Sequence, residues 1–169
     1  MIEIQACLIV VFGLPGTGKT TFANALASRL GWAHYNTDII RSELGKRHQY
    51  DEATKAFVYR QMLERTASEL EKGKGVVLDG TFYREALREP CRELAEEYNM
   101  TLKWVQVLAS ESVIRDRVTG PRAYSEADFG VYLKIKEQFE ALDEHALKLS
   151  SDTMQLATMI DRTLKYLSS

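Results

Sequence analysis

Residues 13–20 read Gly-Leu-Pro-Gly-Thr-Gly-Lys-Thr and satisfy G-x-x-x-x-G-K-[ST] at every fixed position. The chemistry this spacing serves is capture of a nucleotide's phosphates. Gly13, Gly16 and Gly18 let the backbone curl until its N–H groups face an anion. Lys19 neutralises the β- and γ-phosphates, the Thr20 hydroxyl holds Mg²⁺, and a helix N-terminus adds partial positive charge. Pro15, Thr17 and Thr21 complete the expected ATP-binding set. At average residue usage a match arises by chance in on the order of 1% of chains this long. Its context lowers that further, because an apolar run ends at Phe12 and a helical pattern begins near Gly18. A Gly-rich turn between strand and helix is the alternative. The motif specifies nucleotide binding and nothing finer.

A second group follows a short strand candidate at 32–35. Residues 36–44 read Asn-Thr-Asp-Ile-Ile-Arg-Ser-Glu-Leu. On a helix starting here, Asp38 and Arg41 share a face. Asp38 would accept a proton from an attacking hydroxyl while Arg41 grips an anionic or polar group of the same acceptor. Phosphoryl transfer asks for little beyond such positioning and charge neutralisation. Alternatively, Thr37 or Asp38 only caps the helix, and Asp38–Arg41 is a surface ion pair of small worth. Asp79 closes a buried run at 75–79 and would hold Mg²⁺ through water. Gly80 stands where motor and transporter ATPases place a water-activating Glu. The guanine-reading N-K-x-D pattern is absent. Thr81 either lines an acceptor pocket or is a turn hydroxyl.

These three segments, 13–20, Asp38-x-x-Arg41 and Val76–Phe82, come in the order seen in small P-loop kinases. The chain resembles the branch of polynucleotide 5′-hydroxyl kinases, zeta-toxin-like kinases and chloramphenicol phosphotransferase, from about residue 6 to 165. The resemblance implies that Asp38 is the general base and that Arg41 contacts the acceptor. It also implies a five-stranded parallel sheet of order 2-3-1-4-5. An Arg-containing lid at about 110–124 would follow the fourth strand, with two of its arginines touching the nucleotide. Arg117 and Arg122 align best with those two, Arg115 less well. Lys19, Asp38 and Arg122 are then the catalytic set. Where polynucleotide kinases read Asp-Ala-Thr-Asn, this chain reads Asp79-Gly80-Thr81-Phe82. Phe82 and a net charge of −2 point to a small-molecule acceptor over a nucleic-acid 5′-end. The runner-up outside the kinases is a regulatory module that binds or slowly hydrolyses ATP.

Other arginines are expected in lesser roles. Arg84, Arg88 and Arg92 form a stripe with Glu85 and Glu89 three residues before the latter two, which reads as a solvated face. Arg84, nearest the strand end, is the candidate acceptor contact among them. Arg60 falls inside the apolar arc drawn by Ala56, Phe57, Leu63 and Ala67. It either snorkels outward or points into the acceptor cleft. The segment around Arg115, Arg117 and Arg122 is a lid that brings Arg to developing charge or a polar surface helix with Glu111–Arg115 spacing. Tyr35 and Tyr50 flank Asp38 and would stack on a flat acceptor. His34, His48 and His145 have no ligand-like spacing. Met154, Leu156, Met159, Ile160 and Leu164 read as a core-facing helical stripe.

The elements that must position these groups alternate along the chain. Strand patterns fall at 6–12, 75–79, 101–108 and 145–150, and helical patterns at about 18–30, 51–72, 83–98, 125–141 and 153–167. Such alternation implies a three-layer α/β fold, a parallel sheet covered by helices on both faces. The 169 residues suit a single domain, 1–169. Hydrophobic residues at 45% and charged residues at 27% are ordinary globular values. The charge balance excludes a broadly basic nucleic-acid coat. Two cysteines, Cys7 and Cys91, without a C-x-x-C pair argue against zinc and for buried thiols in a reducing compartment. The longest early apolar run, 6–12, is too short to span a bilayer, so the expected location is cytoplasmic, with no membrane partner. The expected assembly is a monomer or homodimer.

Overall fold

In a computed structural model, residues 3–119 and 128–169 are described. One sheet holds β1 (Leu8–Phe12), β2 (Ala33–Asn36), β3 (Val76–Gly80), β4 (Leu102–Leu108) and β5 (Ala146–Ser150), in the order β2-β3-β1-β4-β5 with every pairing parallel. The implied strand order is therefore the observed one. The helices are α1 (Lys19–Leu30), α2 (Thr37–Glu43), α3 (Glu52–Glu71), α4 (Glu85–Glu97), α5 (Glu111–Thr119), α6 (Phe129–Gln138) and α7 (Leu156–Leu167).

The central strand explains the three layers. β1 is buried throughout, and its side chains alternate between faces. Leu8, Val10 and Phe12 join Val58, Met62, Leu70 and Cys91 of α3 and α4. Ile9 and Val11 join Phe22, Leu26 and Met159 of α1 and α7. A smaller cluster of Ile114, Val118 and Tyr132 joins α5 to α6. A continuous apolar run fits a strand covered on both sides.

Three expectations change. The buried face of α3 carries Thr54, Val58, Tyr59, Met62, Thr66 and Leu70, whereas Ala56 is exposed. Thr66 is buried because its hydroxyl donates to the Met62 carbonyl at 2.7 Å, so its polar group is satisfied within the helix. The stripe on α4 is not a solvated face. Arg88 is fully buried, and Arg92 lies over the Trp104 ring, bonded to Glu85, Glu89 and Glu144. The helix α5 follows β4, as one of the two readings of that segment has it, and Arg115 lies over Phe129. Leu156, placed in the core stripe by its spacing, is 40% exposed.

Both thiols are buried, and desolvation pushes Cys7 up to about 11 and Cys91 to about 12. Neither is then a thiolate at pH 8, so a thiol reagent should label the native chain far more slowly than the denatured one. Above pH 9 an unfolded chain releases thiol protons that the fold retains. These two groups therefore lower stability as pH rises from about 9 to 12. Thiol titration of native and denatured protein checks the first point, and a pH series of denaturation midpoints checks the second.

Candidate functional site

The order of the sheet reverses at β1, between β3 and β4, and ligands of such sheets sit at the carboxyl ends of the strands there. A cavity of about 850 Å³ opens at that edge. It joins the 13–20 loop to Asp38, Arg41 and Thr81 in one space.

The loop holds its shape through close backbone approach. A Cβ on Gly13 would come within 2.4 Å of the Val107 carbonyl oxygen. Gly18, with φ at 88°, caps α1 in the left-handed region, which glycine adopts without steric cost. Thr17 Oγ1 donates to the Leu14 carbonyl at 3.0 Å, and Lys19 Nζ donates to the same oxygen at 3.1 Å. Burial lowers the Lys19 pKa, while the Asp79 and Asp38 carboxylates oppose that shift. An ammonium has three donors, so two remain for phosphate oxygens. Pro15, Gly16, Gly18, Thr20 and Thr21 also line the cavity, while Gly13 and Thr17 support the loop from behind. The loop's outer side is braced by Arg117, which donates to the Gly16 carbonyl at 3.2 Å and to Ser151 Oγ at 3.0 Å. Ser151 in turn donates to the Thr17 carbonyl. Arg122 lies outside the described residues.

Asn36 ties three elements together. Its Oδ1 accepts from the Ile39 N–H at 2.9 Å, and its Nδ2 donates to Asp79 Oδ2 at 2.8 Å and Thr20 Oγ1 at 3.1 Å. His34 Nε2 also meets Asp79 Oδ2 at 3.1 Å. Asn36 thus caps α2, in place of the alternative in which Thr37 or Asp38 does so. Asp38 is left to face the cavity, one-third exposed, with Oδ1 2.6 Å from Arg41 Nη1. Arg41 is buried and lies 4.6 Å beneath the Tyr50 ring, so the pair is not a loose surface contact.

The residues present fit Mg²⁺. Asp79 is fully buried and its Oδ1 has no partner among the described residues. A buried carboxylate oxygen calls for a donor, which a metal-bound water supplies. Thr20, already linked to Asp79 through Asn36, is exposed at the cavity. Mg²⁺ takes few protein oxygens and completes its shell with phosphates and water.

Several sequence candidates lie elsewhere. Arg60 is exposed over Phe57, and Arg84 pairs with Glu52 at 2.7 Å. Both line a second groove of about 600 Å³ between α3 and α4, and neither lines the main cavity. Arg60 thus stands at the α3–α4 groove, and Glu52 holds Arg84 there. Phe82 is buried edge-on against Tyr59 and does not line the cavity, so its identity says nothing about the acceptor. Tyr50 reaches the site and Tyr35 does not. The sequence reading missed Asn36, Lys55, Tyr59, Tyr83, Ser151 and Met154. Of these only Asn36 carried a local signal, as a capping residue type at a strand–helix junction.

The same architecture recurs among kinases. A sugar kinase from Janibacter sp. superposes with a TM-score of 0.76 at 19% identity, covering 96% of this chain and 94% of that one. A gluconokinase from Sinorhizobium meliloti gives 0.75 at 20% identity, over 98% and 94%. The Mycobacterium tuberculosis APS kinase CysC, in complex with AMPPNP and APS, gives 0.75 at 15% identity, over 99% and 100%. In sequence, an uncharacterised protein of M. tuberculosis is 29% identical over 123 residues, 66% of this chain and 25% of that protein. The chain therefore spans about a quarter of that relative's length. The adenylate kinase of Phocaeicola vulgatus is 29% identical over 110 residues, 56% of this chain and 58% of that enzyme. The AAA_33 family, described as an AAA domain, matches residues 8–142, most of the chain. The chain belongs to that family.

Proposed function

We propose that this chain is an ATP-dependent kinase that transfers the γ-phosphoryl group to a hydroxyl of a small-molecule acceptor. One observation carries the reading: a single cavity contains both the phosphate loop and a carboxylate fixed by a buried arginine. A module that only bound ATP would need neither Asp38 nor Arg41. The gluconokinase and APS kinase folds support the kinase class.

Loop N–H groups and Lys19 hold the phosphates of ATP and neutralise charge as the phosphoryl group moves. Thr20 directly and Asp79 through water would hold Mg²⁺, which supplies charge neutralisation at the phosphates when bound. The acceptor oxygen bonds to the γ-phosphorus, the bond from that phosphorus to the β–γ bridging oxygen breaks, and ADP leaves. Asp38 receives the proton of the acceptor hydroxyl. Arg41 keeps that carboxylate in place and faces the acceptor. Arg117 and Ser151 brace the loop, and Met154 and Leu156 give the nucleotide end of the cavity an apolar wall. Arg122 keeps the role the kinase resemblance gives it, at the transferred charge, within a lid of about 110–124.

The test offers γ-labelled ATP with Mg²⁺ to a fractionated metabolite extract and, separately, to 5′-hydroxyl DNA and RNA. Label should appear in a small-molecule fraction. Label on the oligonucleotides, with salt-sensitive binding, would instead support a polynucleotide kinase. Free phosphate alone would support the regulatory ATPase.

A further inference from the structure

The wall of the cavity beyond Asp38 is cationic although the molecule is not. Arg41, Arg47 and Lys55 line it, in a chain of net charge −2. Arg41 is paired with Asp38, and Lys55 is the cation of this wall with no short carboxylate contact among the described residues. A cation held in a cleft attracts a ligand group of the opposite sign.

Lys55 is built into its position. It lies in the first turn of α3, with its side chain only 14% exposed. Its Nζ donates to the Tyr83 hydroxyl and sits 4.8 Å from the centroid of that ring. Tyr83 accepts this bond, so its own O–H proton remains to be donated. The one carboxylate contact of Lys55 among the described residues is long. Glu52 stands 3.5 Å away and 72% exposed, and its other oxygen is bound by Arg84 at 2.7 Å. One helical turn on, Tyr59 brings its hydroxyl within 3.5 Å of Thr81 Oγ1. Lys55, Tyr59, Thr81 and Tyr83 thus form one polar wall at the β3 end, across the cavity from the Arg117–Ser151 brace of the phosphate loop.

The geometry points to Lys55, together with the Tyr83 hydroxyl, as the site that holds an anionic group of the acceptor. The substrate is therefore a hydroxyl compound that carries a carboxylate or phosphate. This rests on the kinase reading for the word acceptor, but the anion site itself does not. Lys55 is a specificity residue here, since it binds the non-reacting end.

The test fills the phosphate loop with AMPPNP and Mg²⁺, then titrates inorganic phosphate and, separately, acetate, while following backbone amide resonances. Saturable shifts are expected at 52–56 and 81–84 with at least one anion, and the stronger of the two names the group. Lys55→Ala should weaken that binding by about tenfold or more, the worth of a charge-assisted hydrogen bond. Lys55→Arg should restore most of it, and AMPPNP affinity should be unchanged in both variants. No saturable shift at these residues, or equal binding by Lys55→Ala, would overturn the proposal. With a transferable acceptor in hand, Lys55→Ala should raise its KM more than it lowers kcat. A chain that binds the anion but transfers nothing contradicts the kinase reading and leaves the anion site standing. A chain that phosphorylates a neutral acceptor, with a KM unmoved by Lys55→Ala, contradicts the anion site and leaves the kinase reading standing.

Discussion

Asp38→Asn should lower acceptor-dependent phosphoryl transfer by roughly 10²–10⁴-fold, the usual worth of a positioned base, with ATP affinity nearly unchanged. The substitution keeps size and shape and removes the proton acceptor. It also removes the charge that Arg41 Nη1 meets at 2.6 Å, leaving a buried guanidinium whose Nε already lacks a partner among the described residues. Some stability should be lost as well, so a denaturation curve belongs beside the kinetics. If the rate falls by orders of magnitude while the midpoint moves little, the effect is chemical. Asp38→Ala should be no more active. Rescue of Asp38→Ala by a small carboxylate in solution would place the base at that position directly.

Arg88→Met should destabilise the fold by about 3–5 kcal/mol, the range found when one partner of a buried ionic network is removed. That corresponds to a fall in Tm on the order of 10 °C for a chain of this size. Arg88 is fully buried and makes a fork between distant segments. Its Nε donates to the Phe82 carbonyl at 2.7 Å, its Nη2 to the Glu140 carbonyl at 2.6 Å, and its Nη1 to Glu85 at 2.9 Å. The guanidinium lies 5.6 Å from the Phe12 ring centroid and 5.4 Å from that of Phe139. Met fills the volume but leaves buried carbonyls unpaired. Lys would not substitute, because a point charge cannot span three acceptors as a planar fork does. Phe82 has φ at 43°, so Arg88 also fixes a strained turn between Thr81 and Tyr83. The variant should therefore raise acceptor KM before it affects nucleotide binding. Thermal denaturation with initial-rate kinetics on the same preparation checks both.

Arg88 also shows where sequence reasoning ends. Its spacing with Arg84 and Arg92, and the glutamates between, is the pattern of a solvated helix face. What buries it is a chain segment more than 50 residues on, whose carbonyls at Glu140 and Ala141 it binds. No local pattern reports such a contact. The α3 arc failed for a related reason. A buried threonine reads as polar, but Thr66 satisfies its hydroxyl inside its own helix, so the apolar period is masked. By contrast, the phosphate loop was legible because its chemistry fixes residue types at fixed offsets in one local segment. The sheet order was legible through resemblance, and the three layers through β1, whose unbroken apolar run only a doubly covered strand explains. Asp38 and Arg41 were singled out by spacing and given their roles by the resemblance, and the fold brings both to one cavity. That Asn36 and not Asp38 caps α2 required knowing where β2 ends. Lys55 and Tyr83 lie 28 residues apart and meet only through the fold.

The central claim is that the phosphate loop and Asp38 serve one transfer reaction. The most direct measurement is the stoichiometry of γ-labelled ATP turnover with Mg²⁺, in wild type and Asp38→Asn, with the acceptor-bearing extract present and absent. The account predicts labelled acceptor formed one for one with ADP in the wild type, dependent on the extract and lost in Asp38→Asn. ADP and free phosphate formed in equal amounts without the extract, at the same rate in both proteins, would contradict it.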